Sequence, residues 1–201
     1  DLQEKNPAAA KKRFETVLVK DKDNMQAMLA LANLAAANKQ SQETLEWIKK
    51  ARTSHPKAAQ PSLALVRYYL QVGDAKQAVI AAQEAQNQSP DNPELLDLLG
   101  MAQLSAEQNS EAISTFEKLS KLNPDSPVGY YRTAQAELAA KNPRAAESSL
   151  KKALGLKPDF LDAQVALTGI HVGAQRFNEA IAVANYAIQT PPKSTAGQVL
   201  A

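Results

Sequence analysis

Five prolines stand in register along the chain. Pro56, Pro90, Pro124, Pro158 and Pro192 are each separated from the next by 34 residues. A period of this length means that one small structural unit is stacked on copies of itself. Other columns keep the same step. Twelve residues before each proline stand Thr44, Ala78, Ala112, Ala146 and Ala180, and five before stand Ala51, Ala85, Leu119, Ala153 and Ala187. Twenty-five before stand Leu31, Leu65, Leu99, Thr133 and Leu167. Small residues recur where two helices must approach closely, and leucine recurs where a helix faces a core.

Each unit reads as two helices. In the unit 93–126, Pro93 to Ser105 is a first helix (A) and Ser110 to Lys121 a second (B). Leu95, Leu96, Leu98, Leu99, Ala102 and Leu104 on A, and Ala112, Ile113, Phe116 and Leu119 on B, fit a 3.6-residue period and not strict alternation. Asn92-Pro93 and Ser126-Pro127 place a capping side chain before a proline suited to the first helical position, and Asn24 is the equivalent cap. Helix B ends against the period-marking proline, which cannot continue a helix. Val72-Gly73-Asp74-Ala75, Ala106 to Asn109 and Lys141-Asn142-Pro143 are the A–B turns. Strand signals are absent from the sequence. The expectation is one all-α domain, a right-handed solenoid of eleven helices. It comprises a half repeat at 7–22, full repeats at 25–58, 59–92, 93–126, 127–160 and 161–194, and the start of a further helix at 195–201.

Composition narrows the function classes. Net charge is +2, too small to argue for nucleic acid or an anionic membrane surface. There is no cysteine, hence no disulfide framework and no thiol nucleophile. No apolar run approaches the roughly 18 residues that a membrane helix needs. No phosphate-binding loop or nucleophile elbow appears. The histidines, His55 and His171, are far apart in the array. His55, before a turn proline, is expected in solvent, and His171 in or near the core. Asp91, Asp125 and Asp159 each follow a marker proline and read as helix-start caps. Trp47 reads as packing. The short basic clusters at 11–13, 49–50 and 151–152 read as solvated faces. Neither an enzyme nor a cofactor or metal site is expected.

The repeat resembles the tetratricopeptide repeat (TPR) family. Leu96, Leu99-Gly100, Ala112, Phe116, Leu119 and Pro124 stand at the family offsets in one unit, and Leu65, Tyr69, Gly73-Asp74, Ala78, Ala85 and Pro90 in another. Ala32 and Ala134 replace the family glycine, Thr133 replaces a leucine, and His171 takes the large-residue site. The resemblance implies a non-catalytic scaffold that binds a protein or peptide segment in a concave groove lined by the A helices. The contact stripe then holds Leu29, Asn33, Leu63, Arg67, Leu70, Met101, Leu104, Tyr131, Gln135, Leu138 and Val165. The alternative for the leucines is packing between repeats. Arg67 and Tyr131 are expected to be dispensable for folding. Asn33 matches one site of the family's chaperone-tail clamps, but Leu29 and Leu63 stand where a lysine would be expected.

Ser62 to Leu70, Asp91 to Gly100 and Lys157-Pro158-Asp159-Phe160 look like the TPR lipoproteins of the bacterial PEP-CTERM/exosortase system. That likeness implies a bacterial cell-envelope protein, lipid-anchored upstream, in exopolysaccharide biogenesis and protein sorting. The alternative is a cytoplasmic TPR adaptor or co-chaperone. The helix at 7–20 lacks a preceding partner helix, so the chain reads as part of a longer array. Phe14, Val17 and Leu18 on that helix are expected to drive self-association.

Overall fold

The computed structural model describes residues 6–189. They form α1 (Pro7–Lys20), α2 (Met25–Ala37), α3 (Ser41–Ser54), α4 (Ala59–Gln71), α5 (Ala75–Gln88) and α6 (Pro93–Ser105). There follow α7 (Asn109–Leu122), α8 (Pro127–Ala139), α9 (Pro143–Leu156), α10 (Leu161–Gly173) and α11 (Phe177–Gln189). No strand occurs among the described residues. The further helix expected at 195–201 lies outside them.

Side-chain caps explain most helix starts. Asn24 accepts a hydrogen bond from the Ala27 amide at 2.9 Å, and Asn92 from the Glu94 and Leu95 amides at 3.0 and 3.2 Å. Ser126 and Asn142 cap α8 and α9 ahead of a proline. Asp91 and Asp125 therefore stand one residue outside the capping position, contrary to the expectation, because the next side chain, Asn92 or Ser126, makes the cap bond. At Asp159 the following residue, Phe160, begins α10 with no side-chain cap.

The A–B turns share a conformation that the sequence conceals. Lys39, Glu107 and Lys141 have φ of 59°, Gln175 has 56° and Gly73 has 77°. These five positions are again 34 residues apart, yet only one is glycine. The left-handed residue lets the next amide reach back across the turn. Gln40 N–H bonds the Ala35 carbonyl, Asp74 that of Tyr69, Asn142 that of Glu137 and Arg176 that of His171, at 2.8–2.9 Å. This bonding pattern is the Schellman closure of a helix end.

The chain groups into two compact units, one through Ala106 and one from Glu107. The boundary falls between α6 and α7, the A and B helices of one sequence repeat. In the first unit each helix packs on the next, and α4 also packs on α2 and α6. Its core joins Ala32, Ile48, Leu63, Leu65, Val66, Ala82 and Leu99, with Trp47 and Leu70 packed against it. In the second unit α7 through α11 pack in sequence order. Its core is built on Ala134, Ala146, Leu150, Ala153, Ala163 and Leu167.

The periodic small residues are buried because they sit where helices meet: Ala78, Ala112 and Ala146 expose no surface. In the second unit α8 comes close to α7 at Gly129, which lies over Ser120. His171 is buried, as expected. His55 is half-buried with Nδ1 enclosed, rather than solvent-exposed as expected.

Candidate functional site

Most of the expected stripe lies at or near the surface of its own unit, with one departure. In the first unit Asn33 and Arg67 are exposed, and Leu29, Met101 and Leu104 are half-buried. Arg67 pairs with Glu94 of α6. Leu63 is a correction: it is 5% exposed, inside the core with Ala32, Ile48 and Leu95, because α4 is covered by neighbours on several sides. It is unavailable to a ligand. Leu70 is half-buried and packs against the core, the inter-repeat alternative weighed for it.

In the second unit Val165 is 63% exposed and Leu138 is 37% exposed. Tyr131 and Gln135 are half-buried. Tyr131 stacks at a tilt on Phe160, with ring centroids 5.1 Å apart, and both pack on the core. Burial pushes its phenol pKa up, with the Asp162 carboxylate acting in the same direction and Arg132 opposing. Tyr131 is thus part of the packing, and truncating it to alanine would not leave the fold untouched. Gln135 donates to the Tyr131 hydroxyl at 3.1 Å and accepts from Arg132 at 3.1 Å, so both ends of its amide are engaged.

Leu138 opens onto a feature absent from the expected set. A cavity of about 820 Å³ lies between α8, α9 and α10, reaching the start of α11. Leu138, Pro143, Ala166 and Ile170 give it aliphatic walls. Gly169 and Gly173 form part of the lining, and a Cβ placed on either would meet nothing within 4 Å. At the place of Gly169, earlier repeats carry Asn33, Arg67, Met101 and Gln135. This repeat has no side chain there, which leaves that side of the space open.

The polar part of the lining is Arg144, Glu147 and Arg176. Glu147 accepts from Arg176 Nη2 at 2.6 Å and from Lys151 Nζ at 2.7 Å. The Arg176 guanidinium and then the Lys151 ammonium hold its carboxyl pKa down, from 4.5 to about 2. Arg144 is exposed and has no carboxylate partner among the described residues. It stands in the first turn of α9, where the positive end of the helix dipole disfavours a cation. Sequence reasoning missed this group because Glu147 and Arg176 are 29 residues apart and meet only through the fold. The available signal was the glycine in an otherwise side-chain-bearing column.

A second cavity, of about 620 Å³, lies between α7, α8 and α9. Burial there pushes the Glu137 carboxyl pKa up, Ser149 partly offsets this, and one carboxylate oxygen is enclosed without a partner. Among the described residues no three His, Cys, Asp or Glu side chains gather in a metal-binding group. No described helix is long and apolar enough to cross a membrane.

Tetratricopeptide repeat family models match residues 2–59, 69–138 and 137–199. The chain belongs to the tetratricopeptide repeat family. No curated protein matches it. Among solved structures, MamA 41-end from Desulfovibrio magneticus RS-1 is similar with a TM-score of 0.71 at 16% identity, covering 83% of this chain and 94% of that one. TTC0263, a thermophilic TPR protein of Thermus thermophilus, gives 0.65 at 20% identity, covering 85% and 93%. YrrB, described as a TPR protein with an unusual peptide-binding site, gives 0.65 at 18% identity, covering 90% and 93%. At these identities the likeness is one of fold, the all-α TPR-solenoid class. Such repeats suit protein or peptide binding.

Proposed function

We propose that this TPR chain is a non-catalytic scaffold that binds a protein or peptide segment along the A-helix stripe of its units. The observation that carries the reading is the surface of those helices. Asn33, Arg67, Leu138 and Val165 are exposed, and Leu29, Met101 and Leu104 are half-buried, on helices whose other faces are core. Long apolar side chains interspersed with a few polar groups are the composition of peptide-binding surfaces. The description of YrrB as having a peptide-binding site supports the same use of the fold.

Photo-crosslinkers at Leu104 and Leu138, with controls at exposed Lys49 and Lys152 on B helices, test it. Partners captured from the A-helix positions, and weakened on purification by Arg67→Ala with the fold intact, are the expected result. Crosslinks confined to the B-helix controls would place binding elsewhere.

The same proposal places the scaffold in the bacterial envelope, in exopolysaccharide biogenesis and protein sorting, with an upstream lipid anchor. The phrasing of Ser62 to Leu70 and Asp91 to Gly100 supports it. A lipoprotein signal in the full-length gene product and recovery in the membrane fraction are expected. Recovery in the cytosol would favour the adaptor or co-chaperone reading. Self-association through α1, which leaves Val17 and Val19 exposed, belongs to this proposal and is read by sedimentation.

A further inference from the structure

We propose that the cavity between α8, α9 and α10 receives a large apolar side chain of a bound peptide, and that Arg144 pairs with an Asp or Glu side chain next to it. This rests on the peptide-binding reading and gives it a specificity.

The volume, about 820 Å³, lies in the range of ligand sites and accommodates a side chain together with the backbone that carries it. Its walls at Leu138, Pro143, Ala166 and Ile170 offer no hydrogen-bonding side chain, so the buried part of the occupant is apolar. Gly169 and Gly173 leave helix α10 bare, so an extended segment comes close to its backbone. The charges then decide the neighbouring residue. Glu147 is occupied by Arg176 and Lys151, and its negative charge is answered twice. Arg144 is the cation of the lining without a carboxylate partner among the described residues. Arg144 and Arg176 against Glu147 leave the lining one positive charge in excess. A lysine or arginine on the peptide would meet like charge, whereas a carboxylate meets a free guanidinium able to bind it through two parallel bonds. In the earlier repeats Asn33, Arg67, Met101 and Gln135 stand at the place of Gly169, and the equivalent space between α2, α3 and α4 is only about 210 Å³, so of the two the pocket at this repeat is by far the larger.

The test selects from a random peptide library, displayed internally so that no free C-terminus is present, against the whole 201-residue chain. Two variants of the chain serve as controls. Gly173→Leu fills the cavity from a position whose Cβ meets nothing, and Arg144→Glu reverses the free charge where a carboxylate suits the helix dipole. Both are checked for an unchanged helical spectrum.

Enriched peptides are expected to share a large apolar residue beside Asp or Glu. Their affinity falls tenfold or more on Gly173→Leu. It falls similarly on Arg144→Glu, and is regained there when the peptide acid is changed to lysine. Peptides that enrich but bind both variants like the wild type leave the scaffold reading standing and overturn this one. So do peptides with no acidic preference, or an acid requirement met only by a free C-terminus. Sodium dodecanoate bound in a Gly173-sensitive way, with no peptide enriched, would assign the cavity to a small amphiphile and overturn it too. No enrichment and no dodecanoate binding would remove the peptide-binding reading itself.

Discussion

Two glycines on neighbouring A helices should respond oppositely to the same substitution. A Cβ built on Gly129 falls 2.6 Å from Ser120 Oγ and 2.9 Å from Ser120 Cα and N. The first contact is a side-chain atom, but the other two are backbone, so α8 must move away from α7. Overpacking of this kind costs about 1–3 kcal/mol. Alanine recovers part of that through helix propensity, at most about 1 kcal/mol and less in the first turn, where Gly129 sits. Gly129→Ala is therefore expected to destabilise by about 1 kcal/mol net. Gly169 lies inside α10 with open space before it, so Gly169→Ala is expected to stabilise by about 0.5–1 kcal/mol. Urea unfolding followed by circular dichroism at 222 nm measures both, with a common slope fitted. Adding Ser120→Ala to Gly129→Ala should restore only part of the loss, since it removes the 2.6 Å contact and leaves those at 2.9 Å. A Gly129→Ala variant as stable as Gly169→Ala would refute the reasoning, because the close approach of α7 and α8 would then not be a constraint.

Three further outcomes follow from the same geometry. Glu147 is held from 4.5 down to about 2, so its contribution is fully present above pH 4.5 and lost as pH falls toward 2. Allowing for partners that reach solvent, that contribution is about 1–2 kcal/mol, and Glu147→Gln should flatten stability against pH in this window. Leu63→Ala should cost about 2–5 kcal/mol as a core truncation, whereas Arg67→Ala, an exposed ion pair, should cost less than about 1 kcal/mol, both read by thermal melting. At the turn position Gly73→Ala should lose about 1–2 kcal/mol, and Lys141→Gly, at the same place two repeats later, should be neutral or stabilising. Equal effects would mean that the left-handed turn is not under strain.

The sequence alone carried the repeat and much of the local structure. A proline that ends one helix, a capping residue that begins the next and small residues where helices touch are local properties. They recur every 34 residues, so five copies report the same fact. That is why α6 was legible as Pro93–Ser105, and why the columns of Ala78, Ala112 and Ala146 proved buried. The strip of A-helix positions could be written down for the same reason.

The tertiary structure decided what those positions experience. Leu63 and Val165 occupy the same offset, yet one is 5% and the other 63% exposed, because neighbours cover α4 more completely than α10. Lys39, Glu107, Lys141 and Gln175 adopt a glycine-like φ that their identities do not announce, and at Lys39, Lys141 and Gln175 a backbone hydrogen bond from the next residue closes the turn. The cavity beside Gly169 is the clearest case. Its walls come from three helices, its carboxylate is neutralised by a residue 29 positions away, and Arg144 has no carboxylate partner among the described residues. Periodicity reports what every repeat has in common. A site arises where one repeat departs from the others, and only packing shows which departure leaves an open space and which is absorbed into the core.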